Sequence, residues 1–208
     1  MILVRPAREH LPAYWAALER GWSPDMITPR ETALHELRFI AEDPQGFLDA
    51  LDDPTAKNGP VQFPDGSTRP RLPSFRRWIW DGGFCGAIDF RWQHGTPALP
   101  PHTLGHIGYN VVGWRRRQGI ATRALGLLLA EITPLGLPYV EVTTEPQNTG
   151  SIAVIEANGG VFIETFAMDA SYGGGQGVRY RITLPQGSMG CHSPAITASN
   201  RSRGLPPA

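Results

Sequence analysis

One stretch of the chain joins a strand pattern to a basic, glycine-containing turn and then to a helix pattern. Residues 106–112 are apolar and strand-like, residues 116–122 form the turn, and residues 124–132 repeat apolar side chains at helical spacing. A strand that turns directly into a helix points unpaired amides and the positive end of the helix dipole at one place. Gly119 lets the backbone approach a ligand closely. The stretch therefore predicts a phosphate-binding site.

The motifs in the sequence narrow the kind of phosphate. A Walker loop needs Gly-Lys-Ser/Thr, but the one lysine is Lys57, far from the turn. The dinucleotide motif Gly-x-Gly-x-x-Gly is absent as well. The pattern that is present is Arg-x-x-Gly-x-Ala, at Arg116, Gly119 and Ala121. This pattern resembles the pyrophosphate loop of the GNAT superfamily of N-acetyltransferases.

A second block, further along the chain, strengthens this resemblance. Residues 139–144 are rich in β-branched side chains and are predicted to form a strand, and Asn148 and Ser151 follow it. A short helix pattern then ends at Asn158-Gly159-Gly160, a common helix end. This block is similar to the second conserved block of the family. The clear resemblance spans about residues 104–166, and the N-terminal half matches only in its coarse pattern.

The predicted order of elements agrees with the family. Before the motifs we predict a strand at 2–5, helices near 11–18, 34–40 and 47–51, a long loop at 52–74, and a hairpin of 77–80 with 84–92; after them we predict strands at 160–168 and 177–184. The resemblance implies an α/β (α+β) GNAT fold, with a mixed, mostly antiparallel sheet of about seven strands flanked by helices. In that fold the strands ending near Val112 and beginning near Glu141 splay apart around the pantetheine arm.

The resemblance also implies acetyl-CoA as co-substrate, without a metal. The residues it assigns to the cofactor are Asn110, Val111 and Val112 for the pantetheine amides, Arg116, Arg117, Gln118, Gly119, Ile120, Ala121 and Thr122 for the pyrophosphate, and Asn148 and Ser151 near the second strand. Two alternatives stay open from the residues alone. Three consecutive arginines at 115–117 are also typical of a solvated helix start, and asparagine is a common N-cap.

The catalytic groups are less clearly indicated. Transfer from a thioester to an amine needs a proton acceptor near pH 7, and the candidates are His106, Glu141 and Glu145. His106 is offset by one residue from a glutamate base of some relatives, and a structural role for it is equally open. Many family members place a tyrosine acid seven residues after the asparagine. Here that position is Ile155, so this acid is missing.

One strand carries a charged pair whose direction the sequence leaves open. Asp89 and Arg91 alternate with Phe90 and Trp92, so one of the two pairs faces inward. A carboxylate facing the splayed strands would hold a cationic amine, whereas an exposed strand face is the commoner explanation. Tyr109 is predicted to pack in the core.

Composition limits the partners and the location. Nineteen basic and nineteen acidic residues give zero net charge, which argues against nucleic acid as a partner. The apolar runs are too short for a membrane span, and the N-terminus is not typical of a signal peptide. Cys85 and Cys191 do not form a disulfide framework, so we expect a cytoplasmic location. We expect one domain over residues 1–186 and a disordered tail over 187–208.

Two classes of function remain. The first is an N-acetyltransferase that moves an acetyl group from acetyl-CoA to a primary amine, on a small molecule or at a protein N-terminus. The second is a catalytically silent acyl-CoA-binding or regulatory module, which the isoleucine at position 155 keeps open. The acceptor is set by loops that carry no shared code, so its identity does not follow from the sequence. Assembly into a homodimer is also left open.

Overall fold

The computed structural model describes residues 1–62 and 66–185. The helices are α1 (Leu11–Glu19), α2 (Pro29–Glu42), α3 (Pro44–Ala50), α4 (Ile120–Ile132) and α5 (Thr149–Glu156). The strands are β1 (Ile2–Val4), β2 (Asp52–Asp53), β3 (Val61–Gln62), β4 (Thr68–Arg69), β5 (Ser74–Trp80), β6 (Phe84–Arg91), β7 (Ile107–Val111), β8 (Tyr139–Thr144), β9 (Gly160–Ala167) and β10 (Gln176–Thr183). In these ranges no helix has the length and apolarity needed to cross a bilayer. The predicted tail and Cys191 lie outside the described residues.

The first sheet is built around the predicted hairpin. β5 and β6 pair through a turn at Asp81, Gly82 and Gly83, and the sheet order is β1–β5–β6–β7, with β2 beside β5. All of these pairs are antiparallel. β7 has β6 on one side only, so its other edge faces away from the first sheet.

The second sheet has the order β8–β10–β9, and His106, the residue before β7, joins it to the first sheet. The amide of His106 donates to the carbonyl of Glu141 at 2.7 Å. Beyond this contact β7 and β8 belong to different sheets, and the space between them is called the cleft below. The splay that the resemblance implies is therefore present, and the mixed fold with mostly antiparallel strands is confirmed.

Helices cover both faces of the first sheet, which divides the apolar residues into two cores. α4 and α5 pack on one face, against residues that include Ile88, Phe90, Ile107 and Val140. α1, α2 and α3 pack on the other face, against residues that include Trp78, Phe84, Ala87 and Val112. Alternate residues of β6 and β7 thus serve opposite cores, as the period of a strand requires.

Two predictions about the N-terminal half need correction. Residues 52–74 were expected to form one long loop, but they carry the short strands β2, β3 and β4. The second helix is present, but of the three residues whose spacing predicts it, Leu34, Leu37 and Ile40, Leu34 is 46% exposed while the other two pack in the core with α1 and α3. Glu36 of the same helix is buried and bonds to Tyr14 and Arg76, a contact that hydrophobic spacing alone does not reveal.

The β6 backbone at Gly86 supports the end of β7, which gives a test of the packing. The hairpin has a bulge here, because Ile79 pairs with Gly86 and Trp80 pairs with Phe84. A Cβ on Gly86 would lie 2.3 Å from the carbonyl oxygen of Asn110, and φ of Gly86 is +145°.

We therefore expect Gly86→Ala to lower the free energy of unfolding by roughly 2–4 kcal/mol, because it adds backbone strain to a steric clash. The control is Gly83→Ala in the same hairpin, where an added Cβ meets no atom within 4 Å. It should change stability by no more than about 0.5 kcal/mol. Urea unfolding of both variants measures the difference, and equal midpoints would contradict this packing.

Candidate active site

The predicted phosphate turn leads into α4 with its first amides uncovered. Arg117 and Gly119 have left-handed φ values of 63° and 68°, and this geometry makes Gly119 the N-cap of α4. No side chain among the described residues caps that helix start. An added Cβ on Gly119 would meet no atom within 4 Å, so the space beside it is open. The amides at the start of α4 have no partner within the helix and are available to an anion.

The three arginines before this turn have different roles. Arg115 donates to Asp81 at 2.9 Å and to Gln118 at 3.1 Å, which ties the turn to the β5–β6 hairpin. Arg116 donates through Nε to the carbonyl of Val111 at 3.1 Å. Arg117 is exposed. A solvated helix start therefore describes only part of this run, because Arg115 bonds to two side chains and Arg116 to a backbone carbonyl.

The side chain of Arg116 lies along the edge of β7 that faces away from β6. Its Nη2 donates to Oδ1 of Asn110 at 3.2 Å, and Nδ2 of Asn110 donates to the carbonyl of Ser23 at 2.7 Å. A cavity of about 380 Å³ lies beside these groups. It is lined also by Trp114, over whose ring the guanidinium of Arg20 lies at 3.7 Å. The segment between α1 and α2 is thus joined to the end of β7.

The resemblance assigned Asn110, Val111 and Val112 to the pantetheine arm, but the backbone groups of these three residues do not all point to the same side of the strand. The amide of Val112 donates to the carbonyl of Cys85 on the β6 side at 3.0 Å. Because backbone groups alternate in direction along an antiparallel strand, Asn110 also bonds toward β6, while Val111 faces the open edge. The carbonyl of Val111 accepts from Arg116, as this direction requires. The backbone of Val111, rather than that of its neighbours, borders the cleft.

Asn148 and Ser151 lie at the start of α5, across the cleft from β7. Oδ1 of Asn148 accepts from the amide of Ser151 at 3.1 Å, so Asn148 is the N-cap of that helix. The hydroxyl of Tyr109 donates to the carbonyl of Ser151 at 3.3 Å and bridges β7 to α5. Burial raises the pKa of Tyr109 to about 12, against the opposing effect of this hydrogen bond. Tyr109 also packs against the α4–α5 core, as predicted.

The geometry of His106 argues against a role as the base. Its side chain is 1% exposed, and Nδ1 accepts from the amide of Glu141 at 2.9 Å. The neutral ring then carries its hydrogen on Nε2, which leaves no free lone pair. Burial, with a contribution from Arg91, lowers the pKa of His106 to about 4, although Glu141 opposes the shift. The structural alternative for this residue is the one that the contacts favour.

The two glutamates have different surroundings. Glu141 accepts from Nη1 of Arg179 at 3.0 Å and from Nη2 of Arg181 at 2.7 Å, and its side chain is 13% exposed. Glu145 is exposed at the end of β8 and accepts from Gln147 at 2.9 Å. Each oxygen of the Glu141 carboxylate thus accepts from a guanidinium group. Of the predicted bases, Glu145 is the one whose carboxylate is open to solvent.

Ile155, at the position of the family tyrosine, is part of the core. Its side chain is fully buried, and a Cβ on Gly160 would lie 2.3 Å from its Cγ2. Asn158 donates to the carbonyls of Thr122 and Val154 at 3.1 and 2.8 Å, which joins α5 to the start of α4. The helix that carries Asn148 is therefore fixed to the phosphate turn by packing and by one asparagine.

A larger cavity, of about 440 Å³, lies on the opposite face of the sheet from α4 and α5. Its polar lining includes Asp25, Arg76, Asp89, Arg91 and Tyr172. Apart from the Asp89–Arg91 pair, the sequence did not single out these side chains. The alternation along β6 was the available signal, and the structure turns the charged pair to this cavity and Phe90 to the core.

A buried polar network forms the floor of this cavity. The hydroxyl of Tyr14 bonds to Glu36, Nη1 of Arg76 donates to Glu36 at 3.0 Å, and Nε of Arg76 donates to Asp89 at 2.7 Å. Burial alone would lower the pKa of Arg76, but Asp89, Tyr14 and Glu36 raise it overall. Burial also raises the pKa of Tyr14 well above its usual value. Arg76 therefore stays charged and Tyr14 stays protonated.

Comparison with known proteins agrees with this geometry. The family model described as an acetyltransferase (GNAT) domain matches residues 1–161, which includes the N-terminal half. A comparison with curated protein sequences found no match.

Solved structures share the fold at low sequence identity. The Microcin C7 self-immunity acetyltransferase MccE, in complex with acetyl-CoA and AMP, is 13% identical, with a TM-score of 0.59 and coverage of 88% of this chain and 91% of its own. RimL, a ribosomal L7/L12 alpha-N-protein acetyltransferase in complex with coenzyme A, is 13% identical, with a TM-score of 0.56 and coverage of 88% and 93%. The ribosomal-protein-S5-alanine acetyltransferase from Vibrio fischeri is 15% identical, with a TM-score of 0.52 and coverage of 87% and 90%.

The lowered pKa of His106 predicts a pH dependence of stability. The pKa is about 4 in the folded chain and about 6.5 in the unfolded chain. The unfolded chain therefore binds the proton first as the pH falls. The contribution of His106 to stability should be fully present above about pH 6.5 and should fall by about 3 kcal/mol as the pH approaches 4.

His106→Asn tests this, because an asparagine oxygen can still accept from the Glu141 amide but does not titrate. Unfolding by urea between pH 4 and pH 7, measured for the wild type and the variant, should show a shallower pH slope in the variant. His94→Asn, at an exposed histidine, is the matched control for the loss of an imidazole. Identical slopes in all three proteins would mean that His106 does not titrate as stated.

Proposed function

Because the chain belongs to the acetyltransferase (GNAT) domain family, we propose that it transfers an acetyl group from acetyl-CoA to a primary amine. The observation that carries the proposal is the uncapped start of α4, which lies directly after the open edge of β7. The amides at the start of α4 are complementary to a phosphate, and the backbone at the edge of β7 is complementary to an extended arm that carries amides. The acetyl-CoA and coenzyme A in the structures of MccE and RimL support the same choice of donor.

In this proposal the pyrophosphate lies on the amides of Gln118, Gly119, Ile120, Ala121 and Thr122, and Arg117 adds charge beside them. The pantetheine arm enters the cleft and pairs with the backbone of Val111. The carbonyl of Val111 now accepts from Arg116. Cofactor binding therefore requires Arg116 to share that oxygen or to turn outward, where it would reach the phosphates. Asn148 and Ser151 border the arm from the side of α5.

The reaction is direct acyl transfer. The neutral amine nitrogen attacks the thioester carbonyl carbon, the carbon–sulfur bond breaks, and the sulfur leaves as a thiolate. The amine gives up one proton and the thiolate takes one. Because His106 and Glu141 are engaged by protein groups, we propose that the first proton leaves through Glu145 or water. With Ile155 buried in the core, the thiolate leaves without a dedicated side-chain acid.

We propose that the cavity of about 440 Å³ receives the acceptor. It lies on the sheet face opposite α4, and the polar groups on its floor are fixed by the buried network. RimL and the Vibrio fischeri protein are named for acetylating ribosomal proteins. For this chain the proposed acceptors are a small-molecule amine or a protein N-terminus.

The donor site is tested at Gly119. Gly119→Asp should abolish binding of coenzyme A, because it places a negative charge beside the amides that hold the pyrophosphate. Asparagine has the shape of aspartate and the same tolerance of left-handed φ, but no charge. Gly119→Asn should therefore lose much less affinity for coenzyme A than Gly119→Asp does. Isothermal titration with coenzyme A measures both.

The matched control is Gly136→Asp, at a left-handed glycine (φ +72°) in the turn after α4. It should bind coenzyme A as the wild type does. If folded Gly119→Asp also binds coenzyme A normally, the pyrophosphate does not lie at this turn.

Transfer itself is measured as release of free thiol from acetyl-CoA, with mass spectrometry of the amine. Given a suitable amine, the wild type should add 42 Da, the mass of one acetyl group replacing hydrogen, while Gly119→Asp should not. Tight binding of acetyl-CoA without transfer to any amine of a broad panel would instead support a silent acyl-CoA-binding module. The buried isoleucine at 155, in place of the tyrosine acid, is what favours that second candidate.

A further inference from the structure

We propose that the acceptor is an amine that also carries an anionic group, a carboxylate or a phosphate. Arg91 binds the anion, and Asp89 holds the amine. This inference rests on the proposed function, because it assigns a substrate class to the acceptor cavity.

The two side chains lie on one face of the sheet, on the strand next to β7. Directly opposed residues share a face in an antiparallel sheet, and Asp89 pairs with Gly108 of β7. Arg91 follows two residues along β6, on the same face. A Cβ on Gly108 would lie 3.8 Å from Nη2 of Arg91. The guanidinium therefore extends over β7, the strand that borders the cleft.

The cavity has more positive than negative charge. Arg69, Arg71, Arg76 and Arg91 line it, together with two carboxylates, those of Asp25 and Asp89. Burial, with a contribution from Arg69, lowers the pKa of the lining His102, so this ring stays neutral near pH 7. An excess of arginine in a concave site selects an anionic ligand.

The charges are also distributed unevenly within the cavity. Arg76 is compensated by Glu36 at 3.0 Å and by Asp89 at 2.7 Å. Arg91 is partly buried, and within the described ranges it forms no ion pair. A cation with reduced access to water and no protein counter-ion is well suited to a charge-assisted bond with a ligand.

Asp89 supplies the complementary charge for the amine. One oxygen of its carboxylate accepts from Nε of Arg76, which fixes the side chain at the cavity wall. A carboxylate accepts several hydrogen bonds, so this contact leaves capacity for an amine. Asp89 and Arg91 stand two residues apart on a strand, a spacing of roughly 7 Å. A small molecule with an amine and an anion at its two ends fits both.

One wall of the cavity comes from the segment between β9 and β10. Tyr172, between β9 and β10, donates from its hydroxyl to the carbonyl of His102 at 2.7 Å. This contact encloses the side of the cavity near Arg91. The volume, about 440 Å³, is that of a small-molecule site.

Two matched pairs of amines test the inference. 4-Aminobutyrate is compared with 4-aminobutanamide, and phosphoethanolamine with ethanolamine, at saturating acetyl-CoA and with thiol release as the readout. The wild type should favour the charged member of at least one pair by about tenfold or more in kcat/KM, which corresponds to one strong ionic contact. The pair that shows the preference tells a carboxylate from a phosphate.

Arg91→Met should remove the preference by raising KM for the charged amine about tenfold, so that the ratio of kcat/KM between the charged and the neutral amine falls to about one. Arg91→Lys, which keeps the charge, should restore part of the preference. Arg38→Met removes a charge from an exposed position on α2 and should leave the preference intact. Thermal unfolding shows whether each variant is folded.

Equal rates on both members of each pair, or an Arg91→Met protein that keeps the preference, would overturn the inference while acetyl transfer stands. If none of the four amines is acetylated, thermal unfolding of the coenzyme A-saturated protein gives the second readout. 4-Aminobutyrate or phosphoethanolamine should raise the melting temperature of the wild type and not of Arg91→Met. Absence of that shift in the wild type would also overturn the inference. Failure of the proposed function shows separately, as absence of coenzyme A binding.

Discussion

The arrangement of the candidate site depends on two hydrogen bonds between His106, just before β7, and Glu141 of β8. His106 donates its amide to Glu141, but its own carbonyl accepts from Arg91 on β6, so it cannot return the second bond of a β-ladder. The imidazole Nδ1 accepts the amide of Glu141 instead. Pairing of β7 with β8 therefore stops after this contact, and both backbone groups of Glu141 are satisfied where the sheets separate. The imidazole of His106 thus takes the place of the backbone carbonyl that would continue the pairing of the two strands.

The separation gives each part of β7 a different neighbour. The backbone that faces β6 is used by the first sheet, whereas the backbone of Val111 is turned to the cleft. Side chains alternate as well, so that Val111 reaches the α4–α5 core and Val112 the α1–α3 core. The edge of β7 thus borders the cleft proposed for the donor, while the cavity proposed for the acceptor is lined by Asp89 and Arg91 of the neighbouring strand β6.

The sequence predicted the parts that depend on local pattern. The hairpin at Gly82, the turn at Gly119 and the helix after Asn148 follow from residue types whose backbone or capping preferences are strong. Contacts between distant residues were not predictable in this way. Tyr14 and Arg76 are 62 residues apart, and both bond to Glu36 of α2, which the spacing of apolar residues does not indicate.

The same limit applies to the candidate bases. His106 and Glu141 have residue types suited to proton transfer, and spacing placed them near the cleft. Their availability depends on which atoms reach them: a backbone amide for His106, and Arg179 and Arg181 for Glu141. These partners come from β8 and β10, strands that the sequence does not pair with β7. Residue type thus indicated which residues could act as a base, whereas their hydrogen-bond partners determine which of these groups is available to a proton.

The buried network beneath the cavity of about 440 Å³ determines which charge Asp89 pairs with. A single carboxylate at Asp89 would be drawn toward Arg91 on the same strand face, and the two would neutralise each other. Arg76 instead binds Asp89 at 2.7 Å, and Glu36 from α2 balances the remaining charge of Arg76. Tyr14 completes the network with its hydroxyl on Glu36. Asp89 thus pairs with Arg76 rather than with Arg91, which leaves the charge of Arg91 for the proposed acceptor. If that proposal holds, a substitution of the buried Glu36 acts on the acceptor indirectly, through the ion pairs of Arg76 with Glu36 and with Asp89.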